Sequence, residues 1–133
     1  MRQFVRVQTA ILLRDLAVQA AGAARAGEAG SIHDLRVAIR RLSRCLRTFA
    51  RFYPGNSWKV LRRRLRRLMD ACGGVRDRDI ARELLMAAKV AATSPLVRRL
   101  DQERRRAVRE LRRELRSWKD AGFQRRWRGR LEL

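Results

Sequence analysis

Histidine occurs once and cysteine twice in the 133 residues, too few ligands for a tetrahedral zinc site, which wants four. Cys45 and Cys72 lie in separate segments without C-x-x-C spacing, each beside apolar positions. They read as buried free thiols of a chain kept in a reducing cytoplasm rather than as a disulfide. Long apolar runs are missing as well. Ala10-Ile11-Leu12-Leu13 is cut at once by Arg14 and Asp15, so it is too short for a membrane span or a secretory core. The acid-poor start has the composition of a transit peptide, but it fits a first bundle helix better. No stretch alternates with period two, which leaves no expected strand. No G-x-x-x-x-G-K-[ST] loop is present to cradle nucleotide phosphates. Acidic residues are the scarce charge: 13 Asp+Glu stand against 34 Lys+Arg, giving a formal net charge of +21.

What is present is arginine. Lys59, Lys89 and Lys119 are the only lysines, so nearly all the positive charge is guanidinium. Hydrophobic residues reach 46%, enough for a buried core, and 133 residues suit one domain covering the whole chain. Self-repulsion at +21 opposes compaction, which points to a polyanionic partner.

Breaker clusters at Gly27–Ser31, Tyr53–Ser57, Cys72–Gly74, Ala92–Pro95 and Asp120–Gly122 divide the chain into segments with apolar spacing of three and four. The spacing predicts helices near 3–26, 31–52, 57–72, 77–92 and 95–119, with a short sixth near 122–132. Ser31 with Asp34 matches a capping box, Asn56 or Ser57 can cap the third segment, and Ser94-Pro95 is an N-cap followed by proline at N1. Short connections imply antiparallel neighbours: an all-α antiparallel bundle with a four-helix core and five to six helices in all.

The second helix has a core stripe, Ile32, Leu35, Ile39, Leu42, Leu46 and Phe49. At about 100° per residue, Arg36, Arg40, Arg44, Arg47 and Arg51 fall with His33 in an arc roughly 80° wide beside that stripe. The third segment repeats the design, with Trp58, Leu61, Leu65, Leu68 and Cys72 as its stripe and Lys59, Arg62 and Arg66 along one edge. Between Leu35 and Met69 lie twelve basic residues and no acidic one, so this strip differs from an ordinary solvated face interleaved with Glu. The last long helix is such a face. Its arginines mix with Asp101, Glu103, Glu110 and Glu114, and pairs such as Asp101–Arg105 add a few tenths of a kcal/mol each.

The run Ile32-His33-Asp34-Leu35-Arg36-Val37-Ala38-Ile39-Arg40-Arg41-Leu42 resembles the H-x-x-R-V-x-x-R-R-L signature of the CHAD family, and Gly73-Gly74-Val75-Arg76-Asp77-Arg78-Asp79-Ile80 is similar to its G-x-x-R-D-x-D-V segment. The similarity covers roughly residues 4 to 130. It implies a helical bundle that binds inorganic polyphosphate through a basic surface or pore without catalysis, often beside polyphosphate-metabolising enzymes or on polyphosphate granules. His33, Arg36, Arg40 and Arg41 match the family's basic helix, Arg66 a basic position of the next, and Arg76 with Asp77 the turn motif. Two residues depart from the pattern. Ser43 follows Leu42 where the family often has Arg, moving the charge to Arg44, and Arg78 replaces an apolar residue. The chain resembles the N-terminal half of the common two-bundle form, from which a homodimer with a shared basic channel is expected.

Rows of Arg one turn apart suit a chain of phosphates, which carries no bases to read. The expected polyphosphate-binding set is His33, Arg36, Arg40, Arg41, Arg44, Arg47, Arg62, Arg66 and Arg76. His33 reads equally as a further donor or as a satisfied helix-start histidine. Asp77 and Asp79 are expected to cap the fourth helix or to orient an arginine of the strip. No metal or cofactor is expected. Nonspecific nucleic-acid binding is the main rival, although no aromatic residues interleave with the basic strip for base stacking. An enzyme would need a carboxylate cluster to hold metals, and two aspartates are a thin basis for one. A membrane surface is the weakest rival, because the apolar faces are committed to the bundle.

Overall fold

The structure, a computed structural model, describes residues 1–133 except for the side chain of Ala121. Five helices follow one another: α1 (Arg2–Ala26), α2 (Ala29–Thr48), α3 (Ser57–Ala87), α4 (Pro95–Leu115) and α5 (Ala121–Arg130), with one 3-10 turn at Ala50–Phe52. The fold is all-α. α1 packs on α2, α2 on α3, α3 on α4 and α4 back on α1, while α5 leans on α1.

Cross-helix partners show each neighbouring pair running antiparallel. Phe4 meets Phe49 and Thr9 meets Cys45 between α1 and the end of α2. Arg64 meets Ser117 at one end of the α3–α4 pair, and Arg82 meets Asp101 at the other. The core is the set of stripes read from the sequence: Ile32, Leu35, Ile39, Leu42 and Leu46 on α2, Leu61, Leu65, Leu68 and Cys72 on α3, and Leu111 and Leu115 on α4 are all buried. Phe49 and Trp58 are half-buried at the margin. Both cysteines are free and buried.

The largest departure from expectation lies at Gly73-Gly74. A break was expected there, yet α3 runs through it as one helix of 31 residues. Two interior glycines cost about 1 kcal/mol each relative to alanine. Burial of Leu65, Leu68, Cys72 and Val75 along one stripe outweighs that, since each buried large apolar side chain contributes about 1.5–3 kcal/mol. Neither glycine adopts a positive φ, whereas Gly27, at φ 60°, ends α1. At Gly74 an added Cβ would lie 3.8 Å from the Ala107 Cβ, an ordinary contact distance, so α3 faces α4 there with room for a methyl group.

Because the helix is continuous, Asp77 and Asp79 sit in its interior and cap nothing. Asp79 instead accepts a hydrogen bond from Arg104 Nε at 2.6 Å, and the same guanidinium donates to the Gly27 carbonyl at 3.1 Å, tying α3, α4 and the end of α1 together. Two acidic residues of α4 also reach across to α3, Asp101 to Arg82 at 2.9 Å and Glu103 to Arg78 at 3.7 Å, the latter shared with Arg99 of its own helix at 3.5 Å. Asp101 was expected to pair with Arg105 along its own helix. The antiparallel tail of α3 presents closer partners.

Other ends shift by a turn. α2 begins at Ala29, so Ser31 lies inside it and donates to the Glu28 carbonyl rather than capping. It also stops at Thr48, because Tyr53 turns inward, with its hydroxyl 2.7 Å from Thr9 Oγ1. Burial holds the Tyr53 phenol above its usual pKa, and so protonated. Arg51 therefore leaves the strip and stacks over Phe52, 4.9 Å from the ring centroid. Ser94 does cap α4, accepting from the Leu96 amide with Pro95 at N1, and Asp120 caps α5. Trp118, Phe123 and Trp127 form an aromatic floor at that end. The Arg64 guanidinium lies over two of these rings, 5.2 Å from the Trp118 centroid and 5.0 Å from that of Phe123.

Two stability outcomes follow. Gly73 has open space around a would-be Cβ, so Gly73→Ala raises the unfolding free energy by about 1 kcal/mol in urea titration. Asp79→Asn lowers it by about 2 kcal/mol in the same assay, because the half-buried Arg104 loses its charged acceptor.

Candidate functional site

Arginine stems on facing edges of α2 and α3 build a groove of about 290 Å³. α2 contributes Arg40, Ser43, Arg44 and Arg47, α3 contributes Arg62 and Arg66, and Ile39, Leu65 and Met69 form the floor. Ile39 and Leu65 belong to the two core stripes, and Met69 lies at their margin. The arginine stems lie along that apolar edge and carry their guanidinium groups to water. Arg40, Arg44 and Arg47 are spaced four and three along α2, which stacks them about one turn apart on one side. Arg62 Nε approaches Ser43 Oγ at 3.4 Å, fixing the two helices at mid-groove. The departure at Ser43 thus has a structural use: a small hydroxyl faces Arg62 where the related pattern would place another cation.

The electrostatics differ sharply between the two ends of the bundle. Ion pairs hold the α3–α4 end together, through Arg78, Arg82 and Arg104 with Glu103, Asp101 and Asp79. Among the described residues, no ion pair involves any residue from 35 to 69. Five guanidinium groups share the groove with no carboxylate to offset them. Neighbours one turn apart on a helix have Cβ atoms about 5–6 Å apart, inside the screening length of about 8 Å at physiological salt, so these cations repel one another and favour a bound anion.

The expected site residues separate into groups. Arg40, Arg44, Arg47, Arg62 and Arg66 come together as anticipated. Arg41 does not join them. It lies across the α2 ridge in a second groove, where Arg40 and Arg44 also reach and where Phe4, Leu12, Val37 and Phe49 supply apolar lining from α1 and α2. Arg36 continues the α2–α3 seam one turn beyond Arg40, half-buried, with its Nε unpartnered. It sits close enough to Cys72 to oppose the burial that pushes that thiol up to about 12. His33 is exposed at the start of α2. Arg76, further along α3, is drawn to Glu83 at 3.7 Å. Asp77 is exposed, and Asp79 serves Arg104, which belongs to α4 and not to the strip.

Sequence reasoning left out Arg63 and Arg67, which with Arg66, Arg64 and Val60 line an adjoining hollow and extend the cationic surface over α3. The acid-free interval from Leu35 to Met69 contains both and was the signal that could have found them. Trp58, at the start of α3, has Lys59 Nζ at 5.6 Å and the guanidinium of Arg62 at 6.0 Å from its ring centroid. Among the described residues there is no cluster of three or more His, Cys, Asp or Glu able to hold a metal, and no helix is long and apolar enough to cross a membrane.

Comparison with curated proteins and with solved structures finds no match. The family model of the CHAD domain matches residues 8–132, nearly the whole chain and both motif segments. The chain belongs to the CHAD domain family.

Proposed function

We propose that the α2–α3 groove binds inorganic polyphosphate without catalysis. The observation that carries this reading is the row of Arg40, Arg44, Arg47, Arg62 and Arg66 in one groove with no ion-pair partner. Phosphoryl oxygens recur along the polymer, and planar guanidinium forks take them two at a time. Membership of the CHAD family supports the same substrate class. Arg36 and His33 extend the path towards the start of α2, with Arg63 and Arg67 widening it over α3. Arg41 and Arg76 stand outside the groove and act as longer-range cations. Ser43 is the groove's only hydroxyl, and it faces Arg62 rather than a base that could activate it, which favours holding phosphate over cleaving it. Bound polymer would then be stored on granules or presented to a polyphosphate-metabolising enzyme.

Nucleic acid competes as a partner through its backbone charge alone. The residues lining the groove include no aromatic ring on which bases could stack, and Trp58 of α3 carries two cations on its ring. Duplex DNA is therefore the weaker ligand at equal phosphate.

A competition titration tests the reading. With fluorescent long-chain polyphosphate bound at near-physiological salt, duplex DNA at equal total phosphate displaces it poorly. Displacement one for one would make the groove a general polyanion surface. Arg40→Glu and Arg66→Glu each weaken polyphosphate binding by roughly tenfold or more, because a like charge enters among the phosphates. Arg109→Glu on α4 serves as the control and changes affinity far less, and equal losses in all three variants would remove the groove from the mechanism. Affinity also falls with salt, and each groove arginine replaced by glutamine reduces the log–log slope by about one.

A further inference from the structure

We infer that the second groove, between α1 and α2, binds a nucleoside triphosphate, with the base at its aromatic end and the phosphates on Arg40, Arg41 and Arg44. The groove holds about 530 Å³, within the range of pockets that take small organic ligands. It differs in kind from the α2–α3 groove, where arginines stand over an aliphatic floor. On the α1 side Phe4, Gln8 and Leu12 are four residues apart and so form one row along the helix. On the α2 side Thr48 and Phe49 lie towards one end, and the three arginines follow.

Chemical character is sorted along this groove. Because α1 and α2 are antiparallel, Phe4 meets Phe49 at one end, with centroids 6.4 Å apart and ring planes at 77°. The contact is edge-on and Phe4 remains 54% exposed, so ring surface is left for a planar group. Gln8, one turn along from Phe4, and Thr48, beside Phe49, add an amide and a hydroxyl near the rings. Arg44 and Arg41 lie five and eight residues from Phe49, about 7.5 and 12 Å along the helix axis. No carboxylate lines the groove, and among the described residues none of the three arginines has an ion-pair partner.

The occupant follows from that order. Three uncompensated guanidinium groups call for an anion of several charges. The aromatic end calls for a flat ring, and Gln8 and Thr48 call for hydrogen-bonding groups between the two. A nucleoside triphosphate has base, sugar and phosphates in this sequence. A fatty acid or alkyl phosphate would set one head among three cations and press hydrocarbon against Gln8 and Thr48. Polyphosphate would leave the rings uncovered.

Arg40 and Arg44 line both grooves. A guanidinium turned into one groove is withdrawn from the other, so nucleotide and polyphosphate weaken each other's binding by the same factor. That antagonism rests on the polyphosphate reading, whereas the nucleotide site does not.

Calorimetric titration of the intact chain at near-physiological salt tests the site. ATP binds roughly tenfold or more tightly than ribose 5-triphosphate, which has the same phosphates and no base. Phe4→Ala removes that advantage with unchanged helical circular dichroism, and leaves affinity for ribose 5-triphosphate and long-chain polyphosphate as it was. Arg41→Gln lowers ATP affinity by roughly tenfold. Arg66→Gln, across α2, lowers polyphosphate affinity and leaves that for ATP unchanged. Saturating ATP raises the apparent Kd of long-chain polyphosphate several-fold. Equal affinity for ATP and ribose 5-triphosphate overturns the inference. So does an equal loss of ATP binding in Arg66→Gln and Arg41→Gln, or tighter binding of dodecyl phosphate than of ATP. If long-chain polyphosphate does not bind while ATP binding depends on Phe4 and Arg41, the functional reading fails and the nucleotide site stands.

Discussion

Repulsion among arginines is the constraint on which the rest of this molecule depends. A chain of net charge +21 folds only if burial of apolar surface outweighs the cost of gathering like charges. The few carboxylates are placed where they secure helix contacts rather than spread for solubility. Asp79, Asp101 and Glu103 clamp α3 to α4, where Val97 is the only buried residue between positions 76 and 106. Where the core is dense, between α2 and α3, no carboxylate is spent, and apolar packing with the Arg62–Ser43 contact holds the two cationic edges together. One cation is taken inward: Arg64 lies over the Trp118 and Phe123 rings and hydrogen-bonds Ser117, so α5 closes the bundle on a guanidinium.

This division of labour shapes the groove. Its floor is the margin of the core, which fixes the positions of the arginine stems, and its walls are uncompensated charge. A rigid floor with repelling walls is suited to an anion that contributes many equivalent oxygens and asks for no directional reading. The continuity of α3 matters for the same reason. A helix that broke at Gly73 would release Arg76 and the α4 clamp from the frame that carries Arg62 and Arg66. As one rod, α3 transmits the order of the ion-paired end to the unpaired end.

α1 is the least charged of the long helices, with Arg2, Arg6, Arg14 and Arg25 against Asp15. Its outer face exposes Phe4, Val7, Ile11 and Val18, with Arg6, Arg14 and Arg128 bordering Val7 and Ile11.

Much of this was legible from residue order. The core stripes of α2 and α3, the Ser94-Pro95 start of α4 and the groove set Arg40, Arg44, Arg47, Arg62 and Arg66 all follow from a period of 3.6, because residues on one helix share a face regardless of what lies beyond it. The acid-free interval also marked the cationic side by itself. The sequence could not decide events that depend on a second element. Gly73-Gly74 has the local chemistry of a break, and only the packing of α3 on both α2 and α4 keeps it helical. Asp77 and Asp79 lost their capping role for that reason, and Asp101 chose Arg82 over Arg105 because an antiparallel neighbour came closer than its own next turn. Arg41 follows Arg40 in the chain, but about 100° of rotation carries it out of the α2–α3 groove to the α1 side of α2, while Arg40 on the ridge lines both grooves. Periodicity thus determined which residues are inside and which are cationic, whereas long-range packing decided where helices end, which charges meet, and which arginines share a groove.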